Sequence, residues 1–267
     1  MVSKVDLAVL IPHYNSPEAL LQSILSIQED FPVDVVVVDD GSKGDKLNEE
    51  LLQKNAAVNL NVHVIYLEKN KGIEKALNTG LKHILAKEYS YIARLDCGDR
   101  CMPDRLKIQK EALKADAELG MVGAYVNYVD LDGNILYDFK PPTTFKGIQQ
   151  KMHVNSMFVH PAVMFKTEVV RKVGLYPTTY PAAEDFAYFF RIIKHFKAVT
   201  IPEHLIYYEI NPAGISLSRR KEQLNTRLKI LKEEFYWGFY PIYGLLRNYI
   251  IAILPYKLIY KLKKMLR

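Results

Sequence analysis

The segments VVVVDDGS (residues 35–42) and YIARLDCGD (residues 91–99) decide the fold. In each, an apolar or β-branched run ends in acidic residues and a glycine. The run before DDGS does not alternate apolar and polar residues, and neither does Leu7–Ile11, which ends at Pro12. Both runs therefore predict strands that are buried on two faces of a sheet, and Tyr91–Leu95 predicts another strand.

Helical spacing of apolar residues recurs between these strands. The predicted helices are Pro17–Gln28, Ile73–Leu85, Pro103–Ala115 and Ala183–His195, and the further strands are Val62–Tyr66, Met121–Val129, Ala162–Phe165, Val199–Ile201 and Leu205–Ile210. Strand–helix alternation with short connections predicts an α/β fold, a mostly parallel sheet flanked by helices. Ligands bind such sheets at the carboxyl ends of the strands, so the polar residues that follow the strands are the candidate site.

Charge is distributed unevenly along the 267 residues. Residues 219–267 contain 12 Lys and Arg against three Glu, a net charge of +9, which leaves −3 for residues 1–218. No linker composition divides residues 1–218, so we expect one large domain, residues 1–218, followed by a basic amphipathic helical tail, residues 219–267. A net acidic body without a recognition motif argues against a nucleic-acid partner. The amino-terminal apolar run is too short for a signal peptide, which predicts a cytoplasmic protein.

The end of the tail, Trp237–Arg267, interleaves aromatic residues with Lys and Arg and closes on a basic run, Lys261–Lys264. Its longest uncharged stretch, between Arg247 and Lys257, is nine residues, whereas a membrane-spanning helix needs about 20. This pattern is typical of an interfacial segment and predicts peripheral association with the inner face of the cell membrane. The alternative is that its apolar side packs on the catalytic domain or on a partner subunit.

Two acidic clusters follow predicted strands. Asp39-Asp40 precedes Gly41, and a turn or a helix cap is the structural alternative to a functional role. Asp96 and Asp99 share one short turn, and two such carboxylates can hold Mg²⁺ or Mn²⁺ together with the phosphate oxygens of a substrate. The alternative for this second cluster is a helix cap or a tight turn.

A third cluster, Glu184-Asp185, opens a predicted helix. Acidic residues stabilise the first turn of a helix electrostatically, whereas a carboxylate that faces a cleft can act as a base on a hydroxyl. The residues alone leave both roles open. Nucleophile elbows, dinucleotide loops and Walker loops are absent from the sequence, and Cys97 and Cys101 are spaced too widely for a Cys-x-x-Cys site.

Six segments in order resemble the family 2 glycosyltransferases of the GT-A fold, the Rossmann-like fold of nucleotide-diphospho-sugar transferases. They are VLIPHYNSPEALLQSILSI, VVVVDDGS, NKGIEKALNTGL, YIARLDCGDRCMPDRLKIQ, HPAVMFKTEVVRKVGLYP and AAEDFAYFFRI. The similarity extends from about Leu7 to Ser218. Each segment alone is a weak signal, but six in the right order, at the predicted strand ends, are a strong one.

The resemblance implies a role for each candidate residue. It assigns the pocket for the nucleotide and the donor sugar to Pro12, Tyr14, Asn15, Asp40, Gly72, Lys75, Arg94 and Asp96. It assigns a bound Mg²⁺ or Mn²⁺ to Asp96 and Asp99, the acceptor to Glu184 and the general base to Asp185. One position departs from the family pattern Asp-x-Asp-Asp, because Gly98 stands where the family has its usual metal ligand. Three alternatives stay open: Asp99 substitutes for that ligand, Asp96 alone holds the metal, or the metal requirement is relaxed.

The implied activity is inverting transfer of a sugar from a nucleoside-diphosphate donor to a hydroxyl of a saccharide acceptor. A membrane-docking tail suits a lipid-linked acceptor in surface polysaccharide synthesis. The alternatives are a nucleotidyltransferase and a non-catalytic protein that binds a sugar or nucleotide on the same fold.

Overall fold

The computed structural model describes residues 5–44, 47–211 and 219–254. The strands are β1 (Leu7–His13), β2 (Val33–Asp39), β3 (Leu60–Tyr66), β4 (Tyr91–Arg94), β5 (Arg100–Cys101), β6 (Leu119–Val129), β7 (Ile135–Phe139), β8 (Met164–Lys166) and β9 (Lys197–Glu209). The helices are α1 (Pro17–Leu25), α2 (Glu49–Asn55), α3 (Ile73–Leu85), α4 (Arg105–Ala115), α5 (Phe145–Met152), α6 (Thr167–Val173), α7 (Glu184–His195), α8 (Arg220–Glu233) and α9 (Phe239–Ile253). The closing basic run of the predicted tail, Lys261–Lys264, lies outside the described residues.

The described strands form one mixed sheet in the order β3-β2-β1-β4-β8-β6-β9-β5, with β7 paired to β6. The strands β3, β2, β1 and β4 run parallel to one another. Strand β8 runs antiparallel to both β4 and β6, and β6 runs parallel to β9. The predicted α/β class is confirmed, and the antiparallel pairings lie where the strand–helix alternation of the sequence breaks down.

Alternate residues of the central strands face two separate cores. Leu10 and Val36 belong to the core that includes residues of α3 and α7, whereas Val9 and Val37 belong to the core with α1 and α4. All four side chains are fully buried. Burial on both faces explains why these strands appear in the sequence as continuous apolar runs.

The segment predicted as a tail packs on the rest of the protein. Ile230 and Leu231 of α8 are part of the core on the α3 and α7 side. Helix α9 lies so close to the body that a Cβ added to Gly244 would be 1.9 Å from the carbonyl oxygen of His153. Within the described ranges, no helix combines the length and the apolar character needed to cross a bilayer.

Strand register brings the candidate residues together. Strand β1 lies between β2 and β4, with His13 opposite Asp39 and Leu10 opposite Arg94. The loops that follow these three parallel strands therefore meet at one end of the sheet. The antiparallel pairing of β5 with β9 brings the end of β9 to the same place.

Candidate active site

Asp39, the first residue of the DDGS motif, connects two loops. Its Oδ2 accepts a hydrogen bond from Nδ1 of His13 at 2.7 Å, and its Oδ1 accepts one from the backbone N–H of Ser42 at 2.8 Å. The N–H of Ser16 donates to Nε2 of His13 at 3.1 Å, which assigns the imidazole proton to Nδ1. Burial opposes the ionisation of Asp39, but the hydrogen bonds from Ser42 and His13 outweigh it and lower the pKa of this carboxyl.

Asp40 holds the loop that precedes α3. Its two carboxylate oxygens accept from the backbone N–H groups of Lys71 at 2.8 Å and Gly72 at 2.9 Å, and its side chain is buried. Gly72 has a φ of +93°, a conformation that favours glycine. Lys75 is exposed on the first turn of α3. The predicted contact of Asp40 with a nucleotide base stays a prediction, since the structure gives both oxygens of Asp40 a backbone donor.

The loop after β1 carries three further candidates for the nucleotide pocket. Tyr14 is 39% exposed, and Pro12 is half-buried within β1. Asn15 has a φ of +52° and is fixed to the DDGS loop in two ways. Its N–H donates to Oγ of Ser42 at 2.8 Å, and its Oδ1 accepts from the N–H of Lys43 at 2.7 Å. Asn15 therefore joins the two loops, and Tyr14 beside it is exposed.

Arg94 lies beneath the site rather than at its surface. Its guanidinium donates to the carbonyl oxygens of Leu10 and Leu95 and to Nε2 of His160, and it forms an ion pair with Asp96. Burial, followed by the charge of Arg94, lowers the pKa of His160 well below its ordinary value, so this imidazole is a neutral acceptor. Arg94 has no exposed surface, whereas its ion-pair partner Asp96 is partly exposed. The predicted role of Arg94 near the diphosphate or the donor sugar stays a prediction.

Asp96 and Asp99 begin and end one short turn, the acidic turn, and Asp99 faces inward. The side chain is 3% exposed, its Oδ1 accepts from the N–H of Glu209 at 2.8 Å, and its Oδ2 is buried with no hydrogen-bond partner in the described part of the chain. Burial and then the charge of Asp96 raise the pKa of Asp99 well above its ordinary value. Gly98 has a φ of +101°, which allows the tight turn between the two acids.

The Glu184-Asp185 pair opens α7 beside this cluster. Ala182, just before it, has a φ of +58°, a strained conformation that persists only where the surrounding structure enforces it. Glu184 is buried, and desolvation followed by the charge of Asp185 raises its pKa to about 8. Asp185 is half-buried, and burial also raises its pKa. The charge of Asp96 adds to the rise in both carboxyls, so the three acids lie close together.

Arg227 of α8 is a site residue that the sequence did not reveal. Its guanidinium lies 4.7 Å from the ring centroid of Phe186 and donates to Oδ1 of Asn155. Its positive charge favours the ionised form of Asp185 and partly offsets the effect of burial on that pKa. The segment predicted as a tail therefore contributes a charge beside the candidate base.

The oxygen atoms around the acidic turn suit a metal ion whose coordination is completed by a substrate. Among the described residues, no three His, Cys, Asp or Glu side chains are placed to hold a metal ion by themselves. Mg²⁺ is usually held by one or two carboxylates together with substrate phosphates. The partly exposed Asp96 and the unpaired buried Oδ2 of Asp99 match that donor set. Burial raises the pKa of the Cys97 thiol to about 12.

The architecture matches solved structures of the GT-A fold. The crystal structure of S. aureus TarS 1–349 superposes with a TM-score of 0.67 at 18% identity, covering 93% of this chain and 73% of that one. The mannosyltransferase PcManGT from Pyrobaculum calidifontis, solved in complex with GDP-Man and Mn²⁺, superposes with a TM-score of 0.65 at 18% identity, covering 94% and 70%. These likenesses confirm the predicted fold.

Sequence comparison identifies the family. Residues 8–174 match the family described as Glycosyl transferase family 2, and the protein belongs to this family. An uncharacterized glycosyltransferase of Methanocaldococcus jannaschii is 29% identical over 232 residues, which are 84% of this chain and 78% of the relative. The amylovoran biosynthesis glycosyltransferase AmsE of Erwinia amylovora is 31% identical over 173 residues, 63% of each chain. The predicted enzyme class, a glycosyltransferase, is thereby confirmed.

Proposed function

We propose that this protein is an inverting glycosyltransferase that moves a sugar from a nucleoside diphosphate to a hydroxyl of a lipid-linked saccharide in surface polysaccharide synthesis. The observation that carries the proposal is the proximity of two acidic groups. The partly exposed Asp96 lies in the turn after β4, and its charge acts on Glu184 and Asp185 at the start of α7. In such an arrangement the leaving group can lie on the Asp96 side of the site, and a base can act from the start of α7.

The donor pocket is proposed on the β1 and β2 loops and the start of α3. Its members are Pro12, Tyr14, Asn15, Asp40, Gly72 and Lys75. Tyr14 has the exposed ring needed to lie against a base, and Asp40 shapes the pocket by holding the loop at Gly72. Lys75 supplies an exposed positive charge near the phosphates. Structures of TarS in complex with UDP and with UDP-GlcNAc, and of PcManGT with GDP-Man, support a nucleotide-sugar donor.

Departure of the diphosphate is assigned to the acidic turn. Mg²⁺ or Mn²⁺ bound there would stabilise the negative charge that develops on the leaving phosphates. Asp96 is the proposed ligand, and the buried guanidinium of Arg94 fixes its orientation. The Mn²⁺ in the PcManGT complex supports this assignment. Because Arg94 is fully buried, its contribution to the reaction is to position Asp96.

Asp185 is the proposed general base. It would take the proton from the acceptor hydroxyl as the oxygen attacks the anomeric carbon on the face opposite the diphosphate, which inverts the configuration. A raised pKa brings the carboxylate closer to the operating pH, and such catalysis contributes about 10²–10⁴-fold. The positive charge of Arg227 favours the ionised form of Asp185. Glu184, whose pKa is about 8, is largely protonated at neutral pH and is therefore suited to donate a hydrogen bond to the acceptor.

Peripheral association with the inner face of the cell membrane is proposed through α9. Its outward side exposes large apolar residues at helical spacing: Phe239, Tyr243, Leu246, Ile250 and Ile253. Trp237, just before the helix, is 88% exposed. An apolar helical face with neighbouring aromatic and basic residues is typical of segments that lie in a membrane interface. The similarity to AmsE, an amylovoran biosynthesis glycosyltransferase, supports a role in polysaccharide synthesis.

A transfer assay tests the proposal. Full-length protein is incubated with labelled UDP-sugars and GDP-sugars, Mn²⁺ and a membrane extract that supplies lipid-linked acceptors. The expected result is label in the lipid fraction from one donor, with the anomeric configuration opposite to that of the donor by NMR. Retained configuration would contradict the mechanism. Nucleotide binding without transfer would favour a binding protein, and pyrophosphate release from a nucleoside triphosphate would favour a nucleotidyltransferase.

A further inference from the structure

Glu209, the last residue of β9, lies against Gly98. A Cβ built on Gly98 would be 3.1 Å from Oε1 of Glu209 and 3.6 Å from its Cδ. The carboxylate of Glu209 therefore occupies the space into which a side chain at position 98 would extend. Gly98 and Glu209 are far apart in the sequence, and the fold brings them together.

Asp99 holds Glu209 in this position. The N–H of Glu209 donates to Oδ1 of Asp99 at 2.8 Å, and pairing of Arg100 with Tyr207 fixes the strand end. Asp99 is only 3% exposed, and its buried Oδ2 has no hydrogen-bond partner among the described residues. Asp99 thus places an unpaired oxygen atom in the cluster and contributes its other oxygen to the backbone of Glu209.

Three carboxyl groups, those of Asp96, Asp99 and Glu209, gather at this turn. Asp96 has an ion pair with Arg94, and the charge of Arg100 acts on Glu209. Asp99 adds a third carboxyl, and the charged groups that act on it are Asp96, Glu209 and Arg105. Hard divalent cations prefer such carboxylate oxygen ligands.

We propose that Glu209 supplies the metal-binding carboxylate that the chain lacks at position 98, so that Asp96 and Glu209 together bind the divalent cation and Asp99 positions Glu209. The inference rests on the proposed function, because the phosphates of a nucleoside diphosphate complete the coordination of the ion. This arrangement differs from the three alternatives that the sequence leaves open, because Glu209 joins Asp96 as a ligand. The metal is retained, and Asp99 acts on it through the end of β9.

Mn²⁺ binding by the full chain, with free Mn²⁺ measured by EPR in the presence of UDP or GDP, tests the proposal. Glu209→Gln keeps the side-chain shape and removes the charge, and Glu203→Gln is the matched control, because Glu203 is exposed on the same strand. We expect Glu209→Gln to weaken Mn²⁺ binding by about 10-fold or more, since even groups one shell further out contribute about 10–100-fold. Glu203→Gln and the nucleotide affinity in EDTA are expected to stay unchanged.

A second measurement on the unmodified chain covers the case in which Glu209→Gln does not fold. Carbodiimide coupling of an amine labels accessible carboxyls, and one tryptic peptide, residues 198–219, contains both Glu203 and Glu209. Mn²⁺ with UDP or GDP is expected to reduce labelling of Glu209 while Glu203 stays fully labelled. Equal labelling of Glu209 with and without the metal, or equal Mn²⁺ affinity in Glu209→Gln, would overturn the role of Glu209 and leave the transferase intact. A chain that binds neither UDP nor GDP would instead count against the proposed function.

Discussion

Replacing Asp40 by Asn measures how strongly this side chain holds the loop before α3. Both carboxylate oxygens accept backbone N–H groups, from Lys71 at 2.8 Å and from Gly72 at 2.9 Å, and the side chain is 4% exposed. Asn offers one oxygen, so one hydrogen bond loses its acceptor and one buried N–H faces an NH₂ group. A hydrogen bond to a charged group contributes about 1.5–3 kcal/mol, and an unpaired buried donor costs about 1–3 kcal/mol.

The energy of the lost hydrogen bond and the cost of the unpaired donor describe the same contact, so they are not added. Asn is uncharged and therefore avoids the desolvation that raises the pKa of Asp40. We therefore expect the free energy of unfolding to fall by about 2 kcal/mol, which lowers Tm by about 4–8 °C in a protein of this size. Urea unfolding at pH 7 measures the change, with Asp132→Asn, an exposed carboxylate on the β6–β7 turn, as control. The control is expected within about 0.5 kcal/mol of the parent. Parental stability of Asp40→Asn with lost affinity for UDP and GDP would refute the loop-holding role and favour a direct base contact.

Three further predictions follow from burial and backbone geometry. Glu184→Gln is expected to stabilise the fold at pH 7–8 and not below pH 4.5. The pKa of Glu184 is about 8 in the folded chain against an ordinary value of 4.5, so the stability of the parent falls as pH rises through this window. Equal pH slopes of stability for parent and variant in urea titrations would contradict this. Gly41→Ala is expected to cost about 3 kcal/mol or more, because φ is +68° and a Cβ would lie 2.3 Å from the backbone of Lys69, and an unchanged Tm would be incompatible with that contact. Leu246→Ser with Ile250→Ser is expected to weaken co-sedimentation with anionic phospholipid vesicles by about 10-fold or more, at unchanged Tm, because both exposed side chains lose apolar area; undiminished sedimentation would argue against docking through α9.

The parallel half of the fold was predictable because its strands and helices follow simple rules. The helix predicted at Ile73–Leu85 coincides with α3, whose apolar residues face the core and whose first turn follows Gly72. Leu7–Ile11 appears as an unbroken apolar run because all five of its residues are fully buried. Both patterns depend on local periodicity, which the sequence carries in full.

Strand β9 shows where local patterns fail. The sequence predicted two short strands, Val199–Ile201 and Leu205–Ile210, whereas the structure has one, Lys197–Glu209. The pairing with β6 shifts register opposite Pro202 and its neighbours, between Ile201 and His204. Proline cannot donate to a strand ladder, so a bulge accommodates it while the strand continues. A proline in a sequence does not distinguish a strand end from such a bulge.

Three short helices were not predicted, although two have a capping signal. Asn48 caps α2 by accepting from the N–H of Leu51, and Thr144 caps α5 by accepting from the N–H of Gly147. Asn and Thr are favoured N-caps, so these residues could have indicated both helices. Helices of seven or eight residues are too short for apolar periodicity to identify them.

The candidate site was predictable where it follows strands and not where it depends on tertiary contacts. Asp40, Asp96 and Asp185 each lie at a strand or helix end and were found there. Glu209 and Arg227 carry no motif, and they reach the site only because β9 pairs with β5 and α8 packs beside α7. Contacts of this kind depend on the assembled core rather than on any local pattern.

Turnover of Asp185→Asn shows whether the carboxylate at the start of α7 is the general base. This substitution keeps the shape of the side chain and removes its ability to accept a proton, so kcat is expected to fall by about 10²–10⁴-fold. The Kd for the donor nucleotide is expected to stay within about twofold, because the base acts on the acceptor and contributes to the transition state. Parental kcat in Asp185→Asn, with the donor bound normally, would contradict the assignment of Asp185 as the base.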